Sequence, residues 1–560
     1  MTTMYKMPIG IEDFRELRSN GYYFVDKTKL LKEIIDKRNK VTLFARPRRF
    51  GKTLTLSMVD CFFNSAYADQ QADLFSGTYI ASAGQSYTAQ AGTKSVIFLT
   101  LKETKMTSNE LFREAVAYEM RELYGRFLFL LDDPAVSDED KDEFRRIRRQ
   151  EASEMELRNS LKKLTQLLCL HEKKPVLLLI DEYDAPIQAA WEHGFYDDAI
   201  DFMRSFLSAA LKTNSALDFA LITGILRIGK ESIFSGLNNL DVSTVAEGGY
   251  ADVFGFTDAE VGKLARECGR EDAVPELRRW YDGYDFQGID MYNPWSVINY
   301  FDRGCKAAPY WVNTSGNGIL ARLLQNADER RWREVKGLLE GSPVVAEIDE
   351  TVVYGDLLND RDALYTVLLM TGYLKSLGPV DEENGLYRLA IPNQEIRRVF
   401  RREVLSRVGM RTGDIALYEM MQAVINGDAA SFQDNLQDIL KRTVSVYDTA
   451  QPESFYHGLL LGFALYYEAE YRIRSNRESG YGRFDLAMFP KKPSLPGIIM
   501  EFKSVKQERD MEKAAENAVA QIHDKAYRQE FAELGVDAVW CYGVAFCGKK
   551  VMVKRLAEQD

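Results

Sequence analysis

The clearest pattern along the chain is a series of short, mainly apolar runs separated by longer amphipathic stretches. The runs are 41–44 (VTLF), 95–101 (SVIFLTL), 175–180 (PVLLLI) and 219–223 (FALIT). A strand that is apolar on both faces belongs inside a parallel sheet covered on both sides, so these runs predict buried parallel strands. Helical periodicity from Leu54 to Phe63 follows the first run, and helical stretches separate the others, as a layered α/β domain requires. The acidic stretch 132–143 (DDPAVSDEDKDE) reads as a solvated loop leading into one long charged helix through Leu168. Beyond Tyr250 the periodicity is mostly helical. Around 354–400 it reads helix, helix and a short β-like stretch, GLYRLAIP, the outline of a small winged-helix-like module. Residues 411–450 are helical again. The last ~110 residues carry helix, strands, helix and strands, enough for a compact α/β domain.

At 560 residues the chain has room for about three to five domains. Acidic residues outnumber basic ones by 84 to 72, which excludes a generally cationic nucleic-acid coat but leaves room for a local basic channel. Six scattered cysteines and four histidines form neither a disulfide framework nor a zinc-ligand spacing. The longest apolar run, 459–465 (LLLGFAL), falls far short of the ~20 residues that span a bilayer. The opening MTTMYKMPIGIEDF has no apolar signal core. A cytoplasmic protein without membrane partners is expected.

Two places carry candidate chemistry. The first is Arg46-Pro47-Arg48-Arg49-Phe50-Gly51-Lys52-Thr53, set between a predicted strand and a predicted helix. In a phosphate-binding loop, backbone amides and a helix N-terminus surround phosphate oxygens, a lysine reaches the β/γ-phosphates, and a hydroxyl binds Mg²⁺. Gly51, Lys52 and Thr53 supply this pattern, and Arg46 replaces its first glycine, so Arg46 and Arg49 join them as candidate nucleotide contacts. The run 175–180 ends in Asp181-Glu182. There Asp181 is expected to share the Mg²⁺ shell with Thr53, and Glu182 to polarise the attacking water as a general base. The bland reading is an acidic strand end that caps a helix. Thr223, at the tip of the next strand, is placed to sense the γ-phosphate. Arg227 and Lys230 either neutralise charge there or are ordinary surface cations.

The second place is Asp485 in GRFDL, followed by a Pro/Gly turn through Pro493 and Pro496, then Glu501-Phe502-Lys503. Alternation along a strand puts Glu501 and Lys503 on one face, and a hairpin would bring Asp485 beside Glu501. Asp485 and Glu501 would hold Mg²⁺, Lys503 would orient or help deprotonate water, and Gln521 stands on the helix that follows. The alternative is an exposed sheet face bearing a surface ion pair.

With these segments in order, the sequence resembles the bacterial AAA-ATPase-like proteins that carry a C-terminal PD-(D/E)XK nuclease-superfamily domain. The resemblance runs through IGIEDFRELRSNGYYFVDKTKLL (9–31), LFARPRRFGKTLTLSM (43–58), LLLIDEYDAPI (178–187), TGILRIGKESIFSGLNNL (223–240), WYDGYDF (280–286), YNPWSVINY (292–300) and YWVNTSGN (310–317). It continues through YRLAIPNQEIRRVF (387–400), FYHGLLLGF (455–463) and the GRFDL, EFK and QIHDKAY series. It implies a multi-domain α/β chain with five parts: a P-loop parallel-sheet ATPase domain over 1–245, a helical lid over 246–345, a winged-helix-like module over 346–410, a helical connector over 411–452 and a PD-(D/E)XK-like domain over 453–560. More distantly, this order is similar to STAND-class ATPase switches, which implies that FVDKT (24–28) lies near the adenine. The implied cofactors are ATP and Mg²⁺, and the implied partner is nucleic acid, DNA before RNA, in defence or DNA processing. A protein partner or homo-oligomer is also compatible. The rival expectation is a signalling or scaffold ATPase whose nuclease-like domain is a silent binding module.

Overall fold

In the computed structural model, the residues described are 5–226, 234, 239–311, 320, 329–349, 360–407, 415–443, 453–468, 470–475, 478–479, 482–492, 494–524, 529–536 and 538–556. Arg227, Lys230, Pro493 and all of 312–317 lie outside them. The chain forms two compact units, Met1–Thr314 with Val345–Glu395, and Ser315–Val344 with Ile396–Asp560.

The first unit is built on five parallel strands. In chain order these are β1 (Val41–Ala45), followed by helix α1 (Lys52–Phe63), then β2 (Val96–Thr100), β3 (Val176–Asp181), β4 (Leu217–Gly224) and β5 (Leu240–Ser243), arranged β2-β3-β4-β1-β5. β1 and β3 are buried at every position, as runs apolar on both faces demand. Edge strand β5, LDVS, has too few apolar positions to stand out in the sequence. Pairing of Phe44 with Thr223 and of Ile180 with Ile222 aligns the C-terminal tips of β1, β4 and β3. The loop after β1, Thr223 and Asp181 therefore meet at one edge of the sheet, where an open α/β sheet binds ligands. Gly224 belongs there because a Cβ would stand 2.5 Å from the Tyr183 ring.

The acidic stretch is not a loop throughout, and the charged helix is two helices. Asp138–Arg149 starts inside the acidic run, with the Ser137 side chain accepting from the Asp140 amide, acidic residues in its first turn and arginines in its last. It stops at Gln150, in the left-handed region, and Ser153 opens a second helix, Glu154–Glu172, through a capping box with Glu156. The caps and the helix dipole outweigh the solvated composition.

After Tyr250 the chain is helical with a small antiparallel sheet of Phe256–Thr257, Tyr284–Phe286 and Ile289–Tyr292. Its tight hairpin turns at Gln287 and Gly288, both at positive φ. Helix α2 (Pro294–Asp302) follows, its N-cap Asn293 accepting from the Ser296 amide. Later, Arg361–Met370 precedes a hairpin of Lys375–Asp381 and Leu386–Ala390.

A buried carboxyl closes this unit. Glu395 accepts the Trp311 amide on Oε1 and the Ser296 hydroxyl on Oε2, each at 2.7 Å. The Trp311 indole in turn donates to the Arg48 carbonyl, 3.2 Å away. Burial pushes Glu395 from 4.5 up to about 8, against the pull of those bonds. The unfolded carboxyl loses its proton first, so this group's contribution to stability is full at low pH and is lost as pH rises between these two values. Glu395→Gln, neutral throughout and able to accept from Trp311 and donate to Ser296, should flatten that slope. Melting curves across this range should show the variant several degrees more stable near the alkaline end, and parallel curves would refute this.

The second unit contains α3 (Glu329–Glu340), α4 (Glu453–Ala464), β6 (Tyr471–Ser475), β7 (Leu486–Pro490), β8 (Gly497–Ser504), α5 (Met511–Asp524), β9 (Val539–Cys547) and β10 (Lys550–Arg555). The sheet runs β6-β7-β8-β9-β10, with β8 and β9 parallel across the α5 connection and the other pairs antiparallel. α5 lies so close on β9 that a Cβ at Gly543 would meet the Ala515 carbonyl at 2.2 Å. Gln433 and Gln437 of helix Ala429–Thr443 accept from the Val553 and Val551 amides, which covers the outer edge of β10. Among the described residues, no helix is long and apolar enough to cross a membrane.

Candidate functional site

In the first unit, the turn from β1 to α1 passes Arg49 and Gly51, both at positive φ. Gly51 is the N-cap of α1 and has no side chain to cap it, so the first-turn amides remain for an anionic ligand. The Lys52 ammonium is buried and donates to the carbonyls of Arg46 (2.9 Å) and Pro47 (3.0 Å). Burial lowers its pKa, while the carboxylates of Glu182, Asp184 and Asp181 oppose that fall. Thr53 Oγ1 donates to Asp181 Oδ2 at 2.8 Å, which joins the two expected Mg²⁺ groups across the sheet edge. A hydroxyl and a carboxylate in contact beside a phosphate hollow are suitable hard ligands for that ion.

Thr223 stands on the far side of Asp181, its hydroxyl donating to Oδ1 at 2.5 Å. It is fully buried and positions the carboxylate rather than facing a phosphate. Asp181 is raised by burial, against the pull of the Thr223 and Thr53 hydroxyls. Glu182 takes a left-handed φ of 52° and pairs with Lys105 at 3.2 Å. Burial pushes Glu182 up, but Lys105, Lys52 and Lys102 together more than offset this and leave it below its ordinary value. It is therefore ionised near neutral pH.

Around these groups lies a cavity of about 300 Å³. Its wall includes Arg48, Arg49, Gly51, Lys52, Thr53 and Glu182, together with Phe24, Val25 and Lys27 of the FVDKT segment. Lys27 is held there by Glu260 at 2.7 Å. The Arg49 guanidinium lies 4.4 Å from the centre of the Trp295 ring of α2, which also lines the cavity. A lining that mixes apolar and aromatic side chains with cations, a carboxylate and the helix N-terminus suits a nucleotide in chemistry. Arg46 is the exception: its guanidinium is fully buried and bonds the Ser243 carbonyl (2.7 Å), the Ser243 hydroxyl (2.8 Å) and the Tyr250 carbonyl (3.1 Å). It ties the loop to β5, and its backbone carbonyl accepts from Lys52. Arg227 lies outside the described residues. Sequence reasoning passed over Asp184, which lines the cavity and accepts the Ile225 and Leu226 amides at 2.8 and 3.1 Å. The spacing in DEYD was its one signal.

In the second unit, the β7–β8 hairpin pairs Leu486 with Met500, so Asp485 and Glu501 are neighbours one step further on. Asp485 Oδ2 accepts the Phe502 amide at 2.7 Å. Glu501 Oε1 accepts from the Lys503 ammonium at 3.0 Å and from the Gln521 side chain of α5. All four predicted residues thus converge. The setting differs from an open strand face, because Glu501 is only 2 % exposed while Lys503 keeps contact with solvent. Two carboxylates are a sparse ligand set, and Mg²⁺ accepts that because it retains several of its waters.

Behind this cluster runs a line of donors that the sequence did not disclose. The Lys336 ammonium of α3 lies 3.2 Å from His457 Nδ1 on α4, His457 Nε2 lies 2.6 Å from Ser475 Oγ, and that hydroxyl donates to the Asp485 carbonyl at 2.6 Å. Lys336 can only donate, so Nδ1 accepts and Nε2 carries the proton. Burial, then the Lys336 charge, push His457 down to about 3, so it is neutral at pH 7.

Comparison with known proteins agrees with this division. Residues 8–234 match the AAA-ATPase-like family, described as a predicted AAA-ATPase, and residues 451–556 match the PD-(D/E)XK nuclease superfamily. The chain carries one domain of each kind. It is also 25 % identical over 558 residues to an "Uncharacterized protein in vnfD 5'region" of Azotobacter chroococcum mcd 1, covering 97 % of this chain and 96 % of that relative.

Proposed function

We propose that this protein is an ATP-hydrolysing switch whose C-terminal domain is a Mg²⁺-dependent phosphodiesterase acting on nucleic acid, DNA before RNA. The observation that carries the reading is the convergence of Asp485, Glu501, Lys503 and Gln521 from two strands and a helix. Asp485 and Glu501 would hold Mg²⁺, which supplies charge stabilisation at phosphate, and Lys503 would orient the attacking water. At the other site, Lys52 and the first-turn amides of α1 would bind the β/γ-phosphates, Thr53 and Asp181 would hold Mg²⁺, and Glu182 would activate water. The chain passes between the two units at 314/315, 344/345 and 395/396, which gives nucleotide state three covalent routes to the C-terminal site. The deciding experiment is cleavage of plasmid, linear and single-stranded DNA and of RNA, with Mg²⁺, in the presence and absence of ATP. Cleavage of none of them would favour the scaffold reading, to which the closed Glu501–Lys503 pair also lends support.

ATP hydrolysis has its own test. Glu182→Gln keeps shape and removes the base, so it should bind ATP at parental affinity and release phosphate about 10²–10⁴-fold more slowly. A parental rate would reduce Glu182 to a partner for Lys105.

A further inference from the structure

The C-terminal carboxylate site is completed by a helix far outside the stretch that matches the nuclease superfamily. α3 lies more than a hundred residues upstream of residue 451 and also beyond residue 234, yet it belongs to the second unit. Val335, Leu338 and Leu339 give it a buried stripe, each 1 % exposed, and Lys336 stands on that stripe at 6 % exposure. Glu340, one turn on, shares its face. A lysine in an apolar stripe is expensive to bury unless its charge is needed there. The charges acting on this ammonium are the carboxylates of Glu340 and Asp485, which partly offset its burial and leave its pKa at about 8. Its contact with the site runs through neutral His457 and Ser475 to the Asp485 backbone, so it is too enclosed to meet a substrate phosphate. What reaches the site is its positive charge, which acts on Asp485 across that relay.

We infer that Lys336 is a built-in counter-cation of the Asp485–Glu501 site that holds down its affinity for divalent metal. α3 is then the site's regulator: metal affinity is low with the ammonium seated against His457 and rises when α3 withdraws it. This rests on the metal-site reading of Asp485 and Glu501 proposed above. It makes Lys336 a positioning residue rather than a catalytic one.

Calorimetric Mg²⁺ titration of the full-length chain at pH 7 tests this, with parent, Lys336→Met, Lys336→Gln and Lys336→Arg compared beside their melting temperatures. The methionine keeps the length and fits the apolar stripe, and the glutamine can still donate to His457 if the methionine variant does not fold. Removing the charge should tighten Mg²⁺ binding about tenfold, since a unit charge repels a divalent ion through a poorly screened interior even beyond direct contact. Lys336→Arg should restore the weak parental affinity. A merely structural lysine would lower the melting temperature and leave metal affinity unchanged or weaker. Parent and folded charge-removed variants binding metal equally would therefore overturn the inference and leave the metal site standing. Metal binding by neither would overturn both. A silent parent beside a metal-binding Lys336→Met would support both.

Discussion

Lys52→Ala should lower ATP affinity by about 10²-fold or more, because charge-assisted hydrogen bonds of an ammonium to phosphate oxygens are worth ~1.5–3 kcal/mol each. Arg48 and Arg49 cannot substitute. The Arg48 side chain bonds Gln188 at 2.6 Å, and the Arg49 guanidinium lies over Trp295. Both also approach from the loop rather than from the first residue of α1. The free protein should tolerate the change. Lys52 is a buried cation bonded to two loop carbonyls. Removing it relieves the cost of burying its charge, which offsets the loss of two hydrogen bonds and of its attraction to Glu182, Asp184 and Asp181. The melting temperature should therefore move little while calorimetric ATP binding collapses, and Lys52→Met, which fills the same space, should behave alike. An unchanged ATP affinity would place the phosphates elsewhere.

What the sequence disclosed and what it withheld follow one division. Strands buried on both faces announce themselves, because nearly every position is apolar, and β1 and β3 are of that kind. Their tips carry Gly51-Lys52-Thr53 and Asp181-Glu182, so the meeting of these residues at one sheet edge was legible with them. Arg46 was misleading for a physical reason: an arginine beside a phosphate loop reads as a phosphate ligand, and nothing local indicates that β5 offers it carbonyl partners some 200 residues on. Thr223 was seen at the correct strand tip, but its hydroxyl faces Asp181, a choice made by strand order and not by local sequence. Lys336 was invisible for the same reason. Its meaning depends on α3 packing in the second unit beside α4, whereas chain order suggested a place with the residues preceding it. The hairpin of Asp485 and Glu501 was legible from alternation, although the burial of Glu501 was not, since alternation gives a face and not what covers it.

That burial shapes the outcome of substituting the C-terminal cluster. Asp485→Asn and Glu501→Gln each remove a charged oxygen ligand while preserving volume, so both should weaken Mg²⁺ binding markedly and reduce cleavage by about 10²-fold or more. Glu501→Gln keeps an acceptor for Lys503 and Gln521 and should fold. Glu501→Ala leaves the Gln521 amide without that acceptor in a buried setting, and should lower stability by about 1–3 kcal/mol. The loss stays modest because Lys503 can turn its ammonium to water. Lys503→Met should separate the two functions: Mg²⁺ affinity no weaker than the parent's, since a cation next to Glu501 is gone, and cleavage reduced by ~10²–10⁴-fold, since on the proposed reading this group positions and activates water. The matched measurements are melting temperature, Mg²⁺ titration and cleavage on all four variants. Metal affinity falling with the carboxylates but not with the lysine assigns ligands and activator. If instead Lys503→Met loses metal as the carboxylate variants do, the cluster is one ion-paired structural unit, and the C-terminal domain binds its partner without cutting it.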